Sequence, residues 1–566
     1  MEQNETKSTY TLTDNKLTIT NGLFSKTFDD VICANSCISD ADGLSESYLL
    51  ITATGSDGSL RHYHIWDDLP LVYMPNYREK ELLTLTGEHW IVKNISLHAF
   101  TDENDTLTEE NVKHLFKMNL FGDCKGEIFC LEDSESGDAL VIISETPDYQ
   151  TAKLSIKEGI LTVDNGGNGL ALGFCKIGEC EALCRNYYRH ARKCRGLITM
   201  SNTWGDRNGF ERVCYDFILR EIDAAKELGV DIVQIDDGWQ TGSTEDISRR
   251  DEQGRREFKG DFWDLDQNRF PEGMRAVTDY AAKYGIKIGL WFAPESHDGF
   301  ALLERDKAIL RRAYEEWGFR FFKLDMFWVL SDTDRDRFLE LLREIYSFGD
   351  DVAVQLDVTR NARMNYLCGR QYGTVFVENR YHRSGNSYPH RILRNLWMLG
   401  KYLPTSKFQF EMINPDLYTD CYPEGDPFVP TLYDQDYLFA SVMLSNPLFW
   451  QEMQFLPKKR CDELKTIMDV WKAHRNHLAN ADVAPIGEKP SGRSFTGFYL
   501  SEKGEQKYLL LFREVTENDT ATISAPVNAC TAKILASNAD VKIDVTDGSI
   551  RATFSKQRAY AFVSLL

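Results

Sequence analysis

The sequence predicts a (β/α)8 barrel set between two antiparallel β-domains. Three features carry this: short alternating runs at both ends, a β/α rhythm between them, and acids that close several of the middle strands. From about residue 10 to 172 the text alternates, as in Lys16-Leu17-Thr18-Ile19-Thr20 and Ala139-Leu140-Val141-Ile142-Ile143. Turn formers such as Asp42-Gly43 and Asp164-Asn165-Gly166 break these runs, so residues 1–180 read as a β-sandwich. A helical linker follows over 181–196, where the text turns helical from 182 to 193. Residues 197–480 then repeat a short apolar run, a loop and a helical pattern. Strands are expected near 197–202, 230–236, 286–292, 319–325, 352–357, 374–378, 408–412 and 448–451. Between them Val213, Phe217, Ile218, Ile222 and Leu228 recur at helical spacing, as do Phe338, Leu341, Leu342 and Ile345. Alternation returns over 490–566, with Tyr508-Leu509-Leu510-Leu511-Phe512 and Ala559-Tyr560-Ala561-Phe562-Val563, which predicts a small C-terminal β-domain.

Composition narrows the function. A formal net charge of -22 repels nucleic acid and anionic membrane surfaces, so a neutral small molecule is the expected partner, with association between copies left open. No stretch is apolar enough to span a bilayer. The N-terminal residues lack a basic start and an apolar core, which favours the cytoplasm, or the periplasm or exterior if a leader has been removed. Thirteen cysteines, an odd number, suggest mostly free thiols in a reducing compartment. Cys175, Cys180, Cys184 and Cys194 lack the paired C-x-x-C ends of a zinc ribbon, and His62-x-His64 on a strand reads as structural. No metal and no cofactor are expected. H-E-x-x-H, P-loop, G-x-G-x-x-G and G-x-S-x-G patterns are missing from the text.

The chemistry should lie with the strand-end acids. Phe319-Arg320-Phe321-Phe322-Lys323-Leu324 ends in Asp325, Val230 to Ile235 ends in Asp236-Asp237, and Thr374-Val375-Phe376-Val377 ends in Glu378. In a parallel barrel these ends share one face, so the acids can converge on one ligand. Asp325 and Glu378 would close the fourth and sixth strands, a placement that suits a carboxylate pair. A retaining glycosidase needs one carboxylate to attack the anomeric carbon and a second carboxyl to protonate the leaving group. Lys323 would help keep Asp325 ionised, while burial and nearby acids would raise Glu378. Asp357, at the end of the fifth strand, competes with Glu378 for the acid/base role. Trp204, Trp239, Trp263 and Trp291 fall at or just beyond strand ends, where stacking on a sugar ring and plain rim packing are both open.

Five motifs occur in order: Asn202-Thr203-Trp204; Asp236-Asp237-Gly238-Trp239; Gly260-Asp261-Phe262-Trp263 through Phe270-Pro271-Glu272-Gly273-Met274; Gly289-Leu290-Trp291-Phe292-Ala293-Pro294-Glu295; and Lys323-Leu324-Asp325-Met326. Together they resemble glycoside hydrolase family 36, the α-galactosidases, across most of the barrel. The resemblance implies Asp325 as the nucleophile and Lys323 as a donor to sugar hydroxyls. It also implies Asp236 and Asp237 as acceptors from O4 and O6 of galactose, and Trp204 and Trp239 as pocket aromatics. It implies hydrolysis of terminal α-galactosides by double displacement without a cofactor, with Glu378 as acid/base. The sequence departs from the family where a Cys and a glycine-rich loop near the sugar O2 become Asp357-Val358-Thr359-Arg360-Asn361-Ala362-Arg363, with only Arg363 kept. It departs again where Ser-Asp becomes Val377-Glu378. The family's substrate-binding arginine has no counterpart between Glu295 and Lys323. The altered loop opens the alternative of a sugar changed at C2, for an α-N-acetylgalactosaminidase or another α-glycosidase, and transfer to a sugar acceptor in place of water is a further alternative. A barrel that binds carbohydrate without catalysis is the alternative of another class.

Overall fold

The computed structural model describes residues 9–566 apart from 14–15, 22–23, 29–30, 42–43, 55–58, 67–70, 76, 79–80, 86–88, 102–106, 117–122, 192–195, 207–209, 243–261, 358–359, 364–372, 378–379 and 503–506. The chain divides into two compact units. One holds most of residues 1–193, and the other holds the barrel together with the C-terminal β-domain.

The first unit is a two-layer antiparallel sandwich. Its larger sheet has nine strands, running in the order 108–116, 89–97, 128–133, 138–144, 170–176, 71–74, 60–66, 44–54, 31–41. Its smaller sheet contains 124–125, 153–157, 160–164 and 81–84. Alternate residues of both sheets meet in one core. Trp90, Val92, Phe129, Leu131, Leu140, Ile142 and Leu172 come from the larger, and Leu82, Leu154, Ile156, Leu161 and Val163 from the smaller. Strand Ile128–Asp133 is nevertheless buried along its whole length, so its second face is also covered. The cover is helix Cys180–Ala191, since a Cβ at Gly173 would stand 2.7 Å from Leu183 Cδ2. The helix begins two residues earlier than the sequence pattern suggested. His62, on strand Leu60–Trp66, lies 3.3 Å from the Thr52 hydroxyl through Nδ1.

The second unit contains the predicted barrel. Its eight strands are β1 (Met200–Asn202), β2 (Ile232–Ile235), β3 (Lys287–Phe292), β4 (Phe321–Leu324), β5 (Ala353–Asp357), β6 (Thr374–Phe376), β7 (Phe408–Met412) and β8 (Asn446–Phe449). Every neighbouring pair is parallel, and β1 closes on β8 through Met200 opposite Leu448. Such strands face the barrel interior on one side and helices on the other, which is why β2 and β4 are buried at every position.

The helices form where an apolar stripe meets good end chemistry. Tyr215–Leu228 buries Phe217, Ile218, Ile222 and Ala225 and stops at Gly229, whose φ of 75° is the left-handed conformation that ends helices. Asp332–Tyr346 starts at Ser331, whose hydroxyl accepts from the Asp334 amide, with Asp332 and Asp334 favourably placed in its first turn. Inside the barrel Gln234 fills space beside β3, and a Cβ at Gly289 would collide with its side-chain oxygen. Helix Lys458–Asn480 leads from β8 to the C-terminal β-domain. That domain pairs a five-stranded with a three-stranded sheet around Leu509, Leu511, Ile550, Phe554, Ala561 and Val563. No helix among the described residues is long and apolar enough to cross a membrane.

Candidate active site at the C-terminal ends of the barrel strands

Three of the acids predicted from the strand ends come together around one ammonium. Lys323 lies on β4 and is almost wholly buried. Its Nζ donates to Asp236 Oδ2 at 2.9 Å, and lies 3.3 Å from Asp357 Oδ2 and 3.6 Å from Asp325 Oδ2. Burial disfavours its charge, but the Asp236, Asp325 and Asp357 carboxylates outweigh this and raise its pKa well above the ordinary value. One cation thus ties together acids from β2, β4 and β5.

Asp325 keeps more exposure than its neighbours and is held at both oxygens. Trp291, on β3, donates its indole N–H to Asp325 Oδ2 at 2.9 Å. The Met326 amide donates to Oδ1 at 2.6 Å, a closure made possible by a left-handed turn at Met326, with φ of 55°. Lys323 then approaches Oδ2 from the interior. The carboxylate therefore cannot swing, and its direction into the mouth is set by two different strands.

The Asp236-Asp237 pair is equally fixed. Asn202 Nδ2, at the end of β1, donates to Asp236 Oδ2 at 2.8 Å, and the Asp237 amide donates to Asp236 Oδ1 at 2.9 Å. Gln240 donates to Asp237 Oδ1. Burial, aided by the negative Asp236 and Asp325 and opposed by the Gln240 and Gly238 hydrogen bonds, raises Asp237 to about 7. Near neutral pH this carboxyl can therefore either donate or accept toward a hydroxyl.

The tryptophans divide into two kinds. Trp204, whose amide is held by Asn202 Oδ1 at 2.8 Å, stays partly exposed. Trp239 is fully buried, donates to the Trp291 carbonyl at 3.0 Å, and packs 5.8 Å from Trp263 and 5.6 Å from Trp317. Trp291 in turn lies 6.0 Å from Trp263. These indoles form one cluster joined to Asp325 through Trp291, and of the four predicted at the rim only Trp204 keeps an open face.

Glu378 lies outside the described residues. Arg363 is described only through its backbone, as the last residue of strand Arg360–Arg363. Three residues were missed by sequence reasoning. Asn202 was seen as part of a motif but not as the group that orients Asp236. Gln240 anchors Asp237. Glu411, on β7, is a further buried interior acid that accepts from the Arg380 amide at 3.0 Å. Glu411 was legible in principle, because Phe408-Gln409-Phe410-Glu411 alternates and places both polar residues on one face.

The family model for melibiase matches residues 164–308, a stretch that runs through β1, β2 and β3 and so includes Asn202, Asp236, Asp237 and Trp291. That stretch is similar to the melibiase family. Among curated relatives, α-galactosidase Mel36A of Lactobacillus acidophilus is 34% identical over 92 residues, 16% of this chain and 11% of that protein. α-Galactosidase AgaA of Geobacillus stearothermophilus is 30% identical over 136 residues, 23% of this chain and 16% of that protein. The matched stretches therefore span well under a fifth of these relatives' length. Solved structures extend the likeness in fold over nearly the whole chain. A variant of the same Geobacillus AgaA, solved with 1-deoxygalactonojirimycin, superposes with a TM-score of 0.63 at 12% identity, covering 92% of this chain and 83% of that one. The galactosidase domain of the α-galactosidase–sucrose kinase AgaSK gives 0.67 at 12% identity, covering 94% and 83%.

Proposed function

We propose that this protein is a retaining α-galactosidase that removes terminal α-galactosyl groups from small carbohydrates or glycoconjugates. The observation that carries the reading is Asp325, an oriented carboxylate in the barrel mouth, tied through Lys323 to the Asp236 that Asn202 positions. Asp325 attacks the anomeric carbon and forms a β-galactosyl ester, while Glu378 protonates the departing oxygen and later takes a proton from the incoming water. Asp236 and Asp237 accept from the sugar's O4 and O6 hydroxyls. A ring with O4 in the other orientation would leave a buried acceptor unpaired, which gives selection for the axial hydroxyl. Asp357 is committed to its ion pair with Lys323, which favours Glu378 over Asp357 as acid/base. Support for an α-galactoside comes from relatives named α-galactosidases, one of them solved with raffinose. The cytoplasm is the proposed location, in keeping with nine described cysteines that are all free.

The test is hydrolysis of 4-nitrophenyl α-galactoside beside the N-acetylgalactosaminide, with Asp325→Ala in parallel. Release from the galactoside should vanish in the variant, and added azide should restore turnover with β-galactosyl azide as product. An intact protein inert on galactoside but active on the N-acetylated sugar would overturn the substrate, and a variant with parental rate would overturn the nucleophile.

A further inference from the structure

The covered face of the nine-stranded sheet carries a cluster of thiols that the barrel chemistry does not use. Cys130 stands opposite Val141, and Val141 stands opposite Gly173. Cys175 is two residues beyond Gly173, so Cys130 and Cys175 project from the same face. That is the face on which Leu183 of helix Cys180–Ala191 packs against Gly173. Cys180 and Cys184 are one helical turn apart on this helix. All four are buried, with 2%, 8%, 5% and 0% of Cys130, Cys175, Cys180 and Cys184 exposed.

Within the cluster Cys175 Sγ donates to Cys180 Sγ at 3.8 Å. Lys93 stands opposite Cys130 on the adjoining strand, and its ammonium is 2.6 Å from Glu132. Hydrogen bonds from Cys130 and Cys175, with help from the Lys93 ammonium and against burial, bring the Cys180 thiol far below its usual range. The same contacts hold Cys130 and Cys175 as thiols. Cys180 is also the first residue of its helix, where a thiolate is favoured. The cluster therefore sets a nucleophilic sulfur directly against a protonated one.

We propose that Cys180 and Cys175 form a peroxide-reactive dithiol that closes to a disulfide. The Cys180 thiolate attacks one oxygen of hydrogen peroxide, the O–O bond breaks, and hydroxide leaves and is protonated to water. The Cys180 sulfenic acid is then attacked by the Cys175 sulfur. The new S–S bond forms as the S–O bond breaks, and the sulfenic oxygen leaves as water with the Cys175 proton. The two thiols lose two electrons and one peroxide becomes two waters. Burial selects a small uncharged oxidant over a bulky disulfide. The sulfurs need to close from 3.8 Å to about 2.0 Å, the length of the bond.

The experiment is peptide mapping of the intact protein before and after brief exposure to hydrogen peroxide, with zinc determined on the untreated sample. The expected product joins the peptide containing Cys175 to the one containing Cys180 with loss of two hydrogens, and dithiothreitol reverses it. Cys175→Ser should instead leave a Cys180 sulfenic acid that dimedone traps. Cys180→Ser should slow peroxide consumption by roughly tenfold or more. A Cys130–Cys180 link, sulfinic acid without a disulfide, absence of reaction, or one equivalent of zinc held by the untreated protein would each overturn the proposal.

Discussion

At the waist of the barrel Gln234, Gln355 and Gln409 are neutral and fully buried, and Gln355 donates to Gln409 across the interior. Two residues further along the same three strands stand Asp236, Asp357 and Glu411. The step is about 6–7 Å on an unchanged face. Below, neutral amides meet one another without any charge. Above, Asp236 and Asp357 share the Lys323 ammonium while Glu411 accepts from the Arg380 amide. A parallel barrel can hold both because its interior is a stack of separate layers.

The largest expected effect comes from the upper layer. Asp325→Asn should lower turnover by at least about 10³-fold with little loss of fold, because the variant removes the attacking group and one of several like charges. Melting should stay at or above the parental temperature, and a variant that unfolds instead would mean that the mouth is a stability element. Lys323→Met should be the most destabilising change at the mouth, on the order of 3–5 kcal/mol by urea titration, since it leaves Asp236, Asp325 and Asp357 facing one another without a cation. At the waist Gln355→Leu should cost about 1–3 kcal/mol by orphaning Gln409, with kcat/KM within a few-fold of the parent. A large loss of activity there would show that the two layers are coupled.

The smallest effect is a matter of pH. Asp237 is raised from 3.8 to about 7, chiefly by burial, so the folded chain holds this proton more tightly than the unfolded chain does. Between those values rising pH therefore removes stability, and above about 7 the cost is constant. Asp237→Asn keeps an oxygen for Gln240 and deletes the titration. Its stability advantage over the parent should grow from pH 4 to pH 7 and then level off. A flat difference in chemical-denaturation midpoints would refute the raised value.

All eight barrel strands were legible in the sequence, because a buried parallel strand must be a short apolar run and little else in a soluble chain resembles one. Their limits were less so. The runs 197–202 and 319–325 pair only as Met200–Asn202 and Phe321–Leu324, since pairing needs a neighbour of matching length while an apolar run needs only a core. Asp236 and Asp325 lie one residue beyond the last paired position of β2 and β4, where the ladder ends and the side chain can turn toward the mouth. That acids at the strand ends share one face was expected from strand order, but the meeting of Asp236 and Asp357 at Lys323 was not. Nor was the Trp291 hydrogen bond, because an indole at a strand end reads equally as a stacking surface. Cys130 joins Cys175 and Cys180 only through sheet register and a helix laid across it, a relation that no local spacing expresses.

The backbone turn at Met326 has one more consequence. With one oxygen of Asp325 claimed by the next peptide and the other by an indole from the neighbouring strand, rotation about the Cβ–Cγ bond is blocked before any sugar enters. The direction that this carboxylate presents to the barrel mouth is therefore set in part by a peptide torsion. A residue that resists positive φ at position 326, such as valine or isoleucine, would then release the carboxylate oxygen without touching an ionisable group.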